Sequence, residues 1–533
     1  MIKKLFQASS TVASAAFIVG FFSLLSRFAG VIRDRILNDL FTKGTLDVYY
    51  QSFRLPDLLF QLFVVGAISA SFIPVFTKAW KEADKTRAWK YTNNVLHALI
   101  FIFGLLCVIA ILGADVFAPL LAPGFSAEKQ VAVAQMTRVI FAGQLFFAAS
   151  MVFGSVLQGA KRFFIPSFAP IVYNAGIIIG AVFFTPIFGP MGIAWGVVLG
   201  SFLHMVVQFV GAFALGYRYQ PYLRFRDPEL LHTLWQSTPR LLGLAVNQIS
   251  FVVMSAIASG LVEGSVRNLN LTYNLNFLPI GVIAISYAIA AYPTFCERVA
   301  HKDIPGLRAS FSLTIRQVLF FMIPSTIVFL LLRAQMVRVI YGSDGLDWVS
   351  TIEIANALGI FALSFFAQAS IYILVRVYYA LDDTMTPFAM ALIATFANLA
   401  LGIPLSQQYG IVGLAIAFSL SQMFQMALLW AVLRMKTEGL DEGRIGKSLL
   451  ILSVSGLVAA FAGQGAKYLI VHFVTLDTFW NVLLELAITT AVAVGLYTLL
   501  AYLLKSPEMR SIASGVSARF LKSAEPSEVP DVV

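Results

Sequence analysis

The sequence is poor in charge and in cysteine for its length. Charged residues make up 12% of the 533 positions, whereas soluble domains contain about 25%. Hydrophobic residues make up 59%, which leaves too little polar surface to cover a water-facing globule. The two cysteines, Cys107 and Cys296, lie in apolar runs and give neither a disulfide framework nor a metal-ligand spacing. These shortages exclude a soluble protein and favour a membrane-embedded one.

Motifs of catalysis are also missing. The sequence contains no P-loop, no Rossmann glycine pattern, no paired-histidine metal motif and no nucleophile elbow. No polar segment exceeds about 25 residues, so no ATP-hydrolysing domain is attached. We therefore expect neither an enzyme nor a cofactor. Any uphill transport would draw on an ion gradient or on the membrane potential.

Long uncharged blocks dominate the chain. The ranges 58–77, 241–262 and 268–296 hold 20, 22 and 29 residues without a charge. A run of 18 or more such residues is long enough to cross the hydrocarbon core as a helix. The blocks and their breakers predict an all-α polytopic membrane protein with about fourteen spans. The predicted spans are 11–36, 54–77, 93–118, 133–159, 166–187, 191–216, 234–261, 268–296, 309–333, 352–380, 386–405, 410–434, 447–471 and 480–504.

Basic residues alternate between the two sides of this predicted topology. With the N-terminus in the cytoplasm, the inside segments hold 23 Lys and Arg residues and the outside connections hold five. The positive-inside rule therefore predicts that both termini are cytoplasmic. It also accounts for the net charge of +10 without a nucleic-acid partner. Lys3 and Lys4 precede an apolar stretch that has no cleavage site, which indicates an uncleaved first helix.

The chain resembles itself at an offset of about 220 residues. Matching prolines and glycines share this offset: Pro74 with Pro293, Pro166 with Pro387, and Gly192 with Gly413. Six spans separate the copies, so both copies have the same orientation in the membrane. We predict an N-terminal lobe (1–220), a C-terminal lobe (221–440), an appended helix pair (441–505) and a disordered tail (506–533). Parallel repeats of this kind are a transporter architecture with the substrate between the halves, and a structural bundle would not need the duplication.

Ionisable side chains interrupt the first two spans. Arg27 and Asp34 are seven residues apart, about 700° of helix rotation, and therefore lie on nearly one face. Arg33 adjoins Asp34, and Arg54 and Asp57 open the second span. An ionisable group at the bilayer centre costs about 2.5–3.5 kcal/mol on insertion scales, so it usually marks a pathway. Arginines in this setting suit a diphosphate or a carboxylate, which they bind bidentately.

Other interpretations of these charges stay open. Arg33, Asp34 and Arg35 lie near the end of the span, where side chains can reach the headgroups. Arg54 and Asp57 are equally compatible with an ion pair that locks spans 1 and 2 together. Acids near two other span ends are interpreted as interfacial: Glu353 and Glu485.

Several phrases, in order along the chain, match one known family. They are Ser-Arg-Phe-Ala-Gly-Val-Ile-Arg-Asp (26–34), Phe-Arg-Leu-Pro-Asp-Leu-Leu (53–59), Gly-Ala-Ile-Ser-Ala-Ser-Phe-Ile-Pro-Val-Phe (66–76), Ala-Pro-Gly-Phe (122–125), Asn-Gln-Ile-Ser (247–250), Leu-Pro-Ile-Gly-Val (278–282) and Arg-Val-Tyr-Tyr-Ala-Leu-Asp-Asp-Thr-Met-Thr-Pro (376–387). Through them the chain resembles the MurJ (MviN) family of the MOP superfamily.

The resemblance implies a flippase that moves lipid II, an undecaprenyl-diphosphate-linked precursor, across the bacterial cytoplasmic membrane by alternating access. Its implied partners are lipid II, membrane lipids and cell-wall synthesis proteins. By motif match the family's functional residues fall on Arg27, Arg33, Asp34, Asp47 and Arg54. The appended spans would form a groove for the lipid tail.

The chain departs from the family at two positions where arginine is expected. These positions are Gln61 in span 2 and Asn274 in span 8; with Asn270 and Asn276, Asn274 makes a polar, uncharged wall. The departures keep alternatives open. One is an exporter of another undecaprenyl-diphosphate-linked oligosaccharide, and another is a small-cation exporter, although a cation exporter would require acids in the cavity. A third is a scaffold for cell-wall synthesis that transports nothing.

Overall fold

The chain is helical throughout the part that the structure describes. This computed structural model describes residues 12–82 and 85–509. In hydrocarbon a backbone donor must find its acceptor within its own segment, so long apolar runs form helices. The helices are α1 (Val12–Leu40), α2 (Lys43–Ser52), α3 (Arg54–Phe60), α4 (Gly66–Lys81), α5 (Lys85–Leu112), α6 (Ala114–Leu121), α7 (Ala127–Gly159), α8 (Phe164–Ile179), α9 (Thr185–Phe188), α10 (Met191–Phe213), α11 (Pro228–Ser259), α12 (Ser265–Pro279), α13 (Ile285–Ala300), α14 (Ile304–Leu331), α15 (Arg333–Tyr341), α16 (Trp348–Leu363), α17 (Phe365–Ala380), α18 (Met385–Thr437), α19 (Glu442–Phe473) and α20 (Phe479–Leu503).

Side chains in the short connections fix where several helices begin. The hydroxyl of Thr42 accepts from the Thr45 N–H at the start of α2, and that of Ser126 accepts from the Lys129 N–H at the start of α7. Asp303 accepts from the Gly306 N–H at the start of α14. This hydrogen bond, followed by the charge of Arg298, lowers the pKa of Asp303 below its usual range. Each cap satisfies a backbone donor that the first turn leaves without a partner.

The predicted all-α polytopic membrane fold is confirmed, but the number fourteen is not. Among the described residues, nine helices are long and apolar enough to cross a membrane, and the bent pair α16 and α17 is a tenth candidate. Predicted spans 11 and 12 fall on the two arms of α18, a 53-residue segment that turns at Gly410, where φ is 60° and ψ is −138°. Predicted spans 1, 2 and 7 fall on α1, on α3 with α4, and on α11, which are not among the ten.

Backbone irregularities recur at the offset of the sequence repeat. Short π-helical segments interrupt the helices at Gln61–Val65, Gly180–Phe184 and Ile280–Ala284, and the first residues of the first and the last are 219 positions apart. Gly189 and Gly410, 221 positions apart, have φ values of 58° and 60°. This is the left-handed region, which glycine enters without steric cost. Each glycine therefore supplies the tight turn between two consecutive spans.

The glycine that follows each turn also packs in the same way. A Cβ added to Gly192 would lie 2.4 Å from the Thr185 nitrogen, and one added to Gly413 would lie 2.8 Å from the Ser406 nitrogen. Thr185 and Ser406 are again 221 positions apart. The repeat is thus visible in local structure, while the two lobes and their boundaries stay a prediction.

Internal contacts divide the chain into two units. Unit 1 comprises Met1–Leu271, Ile340–Glu353 and Ala391–Ala417, and unit 2 comprises Thr272–Val339, Ile354–Met390 and Phe418–Val533. In unit 1, α8 and α10 approach closely because glycines face each other: a Cβ on Gly176 would lie 2.3 Å from the Gly200 Cα. Small residues of this kind let membrane helices pack backbone to backbone.

The packed chain continues past the predicted start of the tail at residue 506. Glu508 in unit 2 is 1% exposed, and one of its carboxylate oxygens lies 2.6 Å from an Arg316 guanidinium nitrogen. Ser506 donates to the other oxygen at 2.6 Å. The rest of the predicted tail, and the basic pair Lys3 and Lys4, lie outside the described residues.

Candidate functional site

Arg27 is the unpaired cation of α1. It lies close to the middle of this 29-residue helix and is half-buried. Within residues 12–82 and 85–509, Arg27 has neither a hydrogen bond nor an ion pair. A cation at this depth without a protein partner is available for an anionic ligand.

Arg33 and Asp34 form a pair at the junction of α1 and α8. The Arg33 Nη2 lies 2.7 Å from Asp34 Oδ1, and its Nη1 donates to Asn174 Oδ1 at 2.9 Å. Asn174 belongs to α8 and also donates to the Ser26 carbonyl of α1 at 3.4 Å. Asp34 is only 3% exposed. Both side chains are therefore engaged inside unit 1 rather than extended to the headgroups.

A second acid, Asp57 on α3, faces the same interior. Its Oδ1 accepts from Gln144 Nε2 of α7 at 3.3 Å. Tyr49 and Tyr173 lie within electrostatic range of both Arg33 and Asp57. The structure thus brings Arg33, Asp34 and Asp57 into one polar region of unit 1, which we call the Arg33 cluster.

Arg54 makes its hydrogen bonds toward α11 and α12, while its charge also acts on Asp57. Its Nε donates to Ser255 Oγ at 3.0 Å, and its Nη2 donates to Asn270 Oδ1 at 2.6 Å. The guanidinium lies 4.4 Å above the Phe251 ring. Ser255 in turn donates to Gln51 at 2.5 Å. The hydrogen bonds of Arg54 therefore tie α3 to α11 and α12, and do not form the predicted pair with Asp57.

Asp47 caps the first turn of α12. Its two carboxylate oxygens accept from the Gly264 N–H at 2.6 Å and from the Arg267 N–H at 2.8 Å. The side chain is 2% exposed. A carboxylate at this position satisfies orphan donors and complements the positive end of the helix dipole. In this structure Asp47 therefore holds α2 against α12.

Further contacts close the same end of unit 1, which we call the Asp47 end. The Gly124 N–H donates to Ser259 Oγ at 3.1 Å, and a Cβ on Gly124 would lie 2.2 Å from the Gly260 Cα. Ion pairs add to this closure: Lys129 with Glu263 at 3.1 Å, and Lys43 with Asp347 at 2.9 Å. Although burial opposes it, contacts with Ser350 and Lys43 lower the pKa of Asp347.

Two buried ionisable residues are not evident from the sequence. Arg267 lies in the connection between predicted spans 7 and 8, yet it is 0% exposed and donates to Ser350 at 2.7 Å. Glu485, which the sequence places near a span end, is also 0% exposed. Gln335 of α15 donates to both of its oxygens, at 3.2 and 3.1 Å, and thereby makes burial tolerable. The only available signal was the position of each residue at the edge of an uncharged run.

The predicted polar wall of α12 divides into three different environments. Asn270 accepts from Arg54, and Asn276 exchanges two hydrogen bonds with Gln368 of α17, both at 3.1 Å. Asn274, in unit 2, is exposed. Gln61 lies half-buried in the first π-helical segment. Asn274 is therefore the member of the wall that has a free amide.

These helices, with a half-buried arginine near the middle of α1 that has no partner among the described residues, define a polytopic membrane protein of the transporter class. The family model described as "Lipid II flippase MurJ" matches residues 37–484. The chain belongs to the MurJ family of lipid II flippases.

Curated relatives and solved structures agree with this assignment. A "Probable lipid II flippase MurJ" of Vibrio cholerae is 27% identical over 442 residues, 80% of this chain and 84% of the relative. One of Rhizobium tropici is 26% identical over 531 residues, 96% of this chain and 97% of the relative. The solved structure "Lipid II flippase MurJ, inward closed conformation" has a TM-score of 0.73 at 21% identity and covers 92% of this chain and 99% of that chain. An inward-facing MATE transporter of the MOP superfamily has a TM-score of 0.64 at 14% identity and covers 80% and 99%. At these identities the structures establish the fold.

Proposed function

We propose that this protein translocates lipid II from the inner to the outer leaflet of the bacterial cytoplasmic membrane. Membership of the flippase family supports the substrate class. The observation that carries the site is Arg27, a half-buried cation near the middle of α1 without a partner among the described residues. Lipid II presents a diphosphate, and an arginine binds such a group through two parallel N–H donors.

The charges of α1 favour Arg27 as the principal contact. Asp34 lies 2.7 Å from Arg33 and offsets its charge, so the pair has little net attraction for an anion. Arg27 retains its full charge at a depth where an unpaired cation costs about 2.5–3.5 kcal/mol. A diphosphate bound there would relieve this cost. The attraction between the two charges would offset the hydration that the diphosphate loses.

Alternating access between the lobes 1–220 and 221–440 would move the headgroup across. With both termini in the cytoplasm, the Asp47 end faces the outside. The contacts of Asp47, Arg54 and Gly124 with α11, α12 and their connection close that end. The lipid-linked headgroup would enter from the cytoplasmic side, and the appended pair α19 and α20 would accommodate the lipid tail.

A vesicle assay with fluorescently labelled lipid II tests this proposal. The Arg27→Ala protein should lose more than tenfold in translocation rate, because the diphosphate loses a bidentate partner. Arg27→Lys should retain part of the rate, since lysine keeps the charge without the fork. Arg218→Ala is the matched control: Arg218 is exposed in the connection after α10, and its loss should leave the rate unchanged. A full rate in Arg27→Ala would refute the proposed site.

A second cargo is favoured by the uncharged side chains at Gln61 and Asn274. If the wild-type protein moves another undecaprenyl-diphosphate-linked oligosaccharide but does not move lipid II, the protein is an exporter of that oligosaccharide. If it moves neither, a role as a scaffold for cell-wall synthesis replaces transport.

A further inference from the structure

Asp57 is an acidic side chain of predicted span 2, and the proposed lipid II site does not use it. Its only hydrogen-bond partner among the described residues is Gln144, which is itself 6% exposed. The side chain of Asp57 is half-buried, so part of its surface is accessible. The charged and titratable groups around it are Arg54 on its own helix, Tyr49 on α2, Tyr173 on α8, and the mutually paired Arg33 and Asp34 on α1.

The repeat supplies an uncharged counterpart of this acid. Asn276 is 219 positions after Asp57, the same offset that separates the π-helical segments Gln61–Val65 and Ile280–Ala284. Asn276 pairs with Gln368 of α17 through two hydrogen bonds of 3.1 Å, one in each direction. In the second copy of the repeat, a neutral side chain at this position therefore exchanges hydrogen bonds with a glutamine two spans further along the chain.

Protonation would give Asp57 the same bonding capacity. An ionised carboxylate only accepts, so it can take the Gln144 N–H but offers nothing to the Gln144 carbonyl. A carboxylic acid has one O–H donor, with which it could donate to Gln144 Oε1 while still accepting from Nε2. The geometry between α3 and α7 therefore suits the neutral acid as well as the ionised one.

The contacts of Arg54 couple the ionisation of Asp57 to the opening and closing of the Asp47 end. In this structure the guanidinium donates to Ser255 and Asn270. When α11 and α12 separate from α3, these two partners are lost. Asp57 is three residues further along the chain, a spacing at which side chains on a helix meet. An approaching cation favours the ionised form of a carboxyl group, and its withdrawal favours the neutral form.

We propose that Asp57 is a proton-binding site of the transport cycle: it is protonated while the Asp47 end is closed, and it is ionised and paired with Arg54 when that end opens. Protonation then favours closure, because a ligand shifts a two-state equilibrium toward the state that binds it better. Proton uptake from the outside would help return the empty carrier to the inward-facing state. The proposal rests on the alternating-access function given above.

Spin-label distances across the Asp47 end test it. Cysteines at the exposed positions Glu128 and Val262, in a chain whose two native cysteines are replaced, report its opening in lipid nanodiscs. Between about pH 5 and about pH 9 the parent should shift from a short to a long distance. Asp57→Asn should keep the short distance throughout. Asp115→Asn is the control: Asp115 is an exposed acid paired with Arg138, and its loss should leave the parental pH response.

An Asp57→Asn protein with the parental pH response would overturn the proposal, and so would a parent whose distance does not change with pH. A response that follows sodium rather than pH would assign the site to a metal cation instead. Asp57→Ser provides a second neutral variant if Asp57→Asn fails to fold. The lipid II assay is run separately: a pH-dependent opening without lipid II movement refutes the cargo alone, and lipid II movement without a pH response refutes the proton site alone.

Discussion

Replacing Asp47 by alanine should release α12 from α2 and shift the protein toward a state with an open Asp47 end. The carboxylate accepts two backbone N–H groups, at 2.6 and 2.8 Å, and is 2% exposed. Loss of a helix cap costs about 0.5–2 kcal/mol. Loss of a negative charge from the helix N-terminus adds about 1 kcal/mol at a partly buried position.

These terms act on the closed state alone. When the end is open, water hydrates both the carboxylate and the amides, so the wild-type side chain gives that state little advantage. The closed state therefore loses about 3 kcal/mol relative to the open one, and the closed-to-open ratio falls on the order of 100-fold.

Thiol labelling measures this change. Ser265, at the first turn of α12, is 2% exposed, and its hydroxyl has no hydrogen bond among the described residues, so Ser265→Cys is a mild reporter. With the native cysteines replaced, a membrane-impermeant thiol reagent should label it on the order of 100-fold faster when Asp47 is alanine. Asp39→Ala is a matched control, because Asp39 accepts a single N–H, from Gly345 at 3.1 Å, at an exposed position; its effect should be at most about fivefold.

The reasoning fails if Ser265→Cys reacts at the parental rate in the Asp47→Ala protein. Exposed Val262→Cys should react equally in both backgrounds, which separates opening from a general loss of structure.

Two other changes follow from the same contacts. Gly124→Ala should prevent closure and raise Ser265→Cys labelling, because the new Cβ would lie 2.2 Å from the Gly260 Cα. Gly260→Ala should be tolerated, since its Cβ would lie 4.0 Å from the Gly124 Cα. Equal labelling in the two proteins would contradict this prediction. Glu485→Gln should lower the free energy of unfolding by about 2 kcal/mol, because Lys467 then lacks the opposite charge that it faces. Adding Lys467→Met to the Glu485→Gln protein should restore most of the lost free energy. Thermal unfolding in detergent measures both, and an unchanged midpoint in Glu485→Gln would show that the pair is not coupled.

The sequence was sufficient for the fold class and the repeat because both depend on patterns along the chain. Uncharged runs predict membrane helices, and the common offset of Pro74, Gly192 and their counterparts reappears in the π-helical segments and in the Gly189 and Gly410 turns. The span count was less accessible: among the described residues, predicted spans 1, 2 and 7 fall on helices that are not among the ten candidates.

The partners of the charged residues were not predictable in the same way. Asp47 is 217 positions from Gly264, and Arg54 is 201 positions from Ser255. Nothing in local spacing links residues so far apart, whereas Arg54 and Asp57 are close in sequence and suggested an ion pair. The structure divides that suggested pair between two partners because α3 lies between α7 on one side and α11 and α12 on the other.

The distribution of these partners separates two tasks among the charged groups of unit 1. Asp47 and Arg54 make their hydrogen bonds to α11, to α12 and to the turn between them, so their free energy depends on whether the Asp47 end is closed. Arg33 and Asp34 neutralise each other within the contact of α1 with α8. Arg27 is left as the cation whose free energy depends on a ligand. A diphosphate and a closed Asp47 end therefore act on different arginines. Loss of Arg27 should then impair substrate movement while the pH-dependent opening persists, and loss of Arg54 should first change the balance between the open and closed Asp47 end, because its contacts with Ser255 and Asn270 are lost.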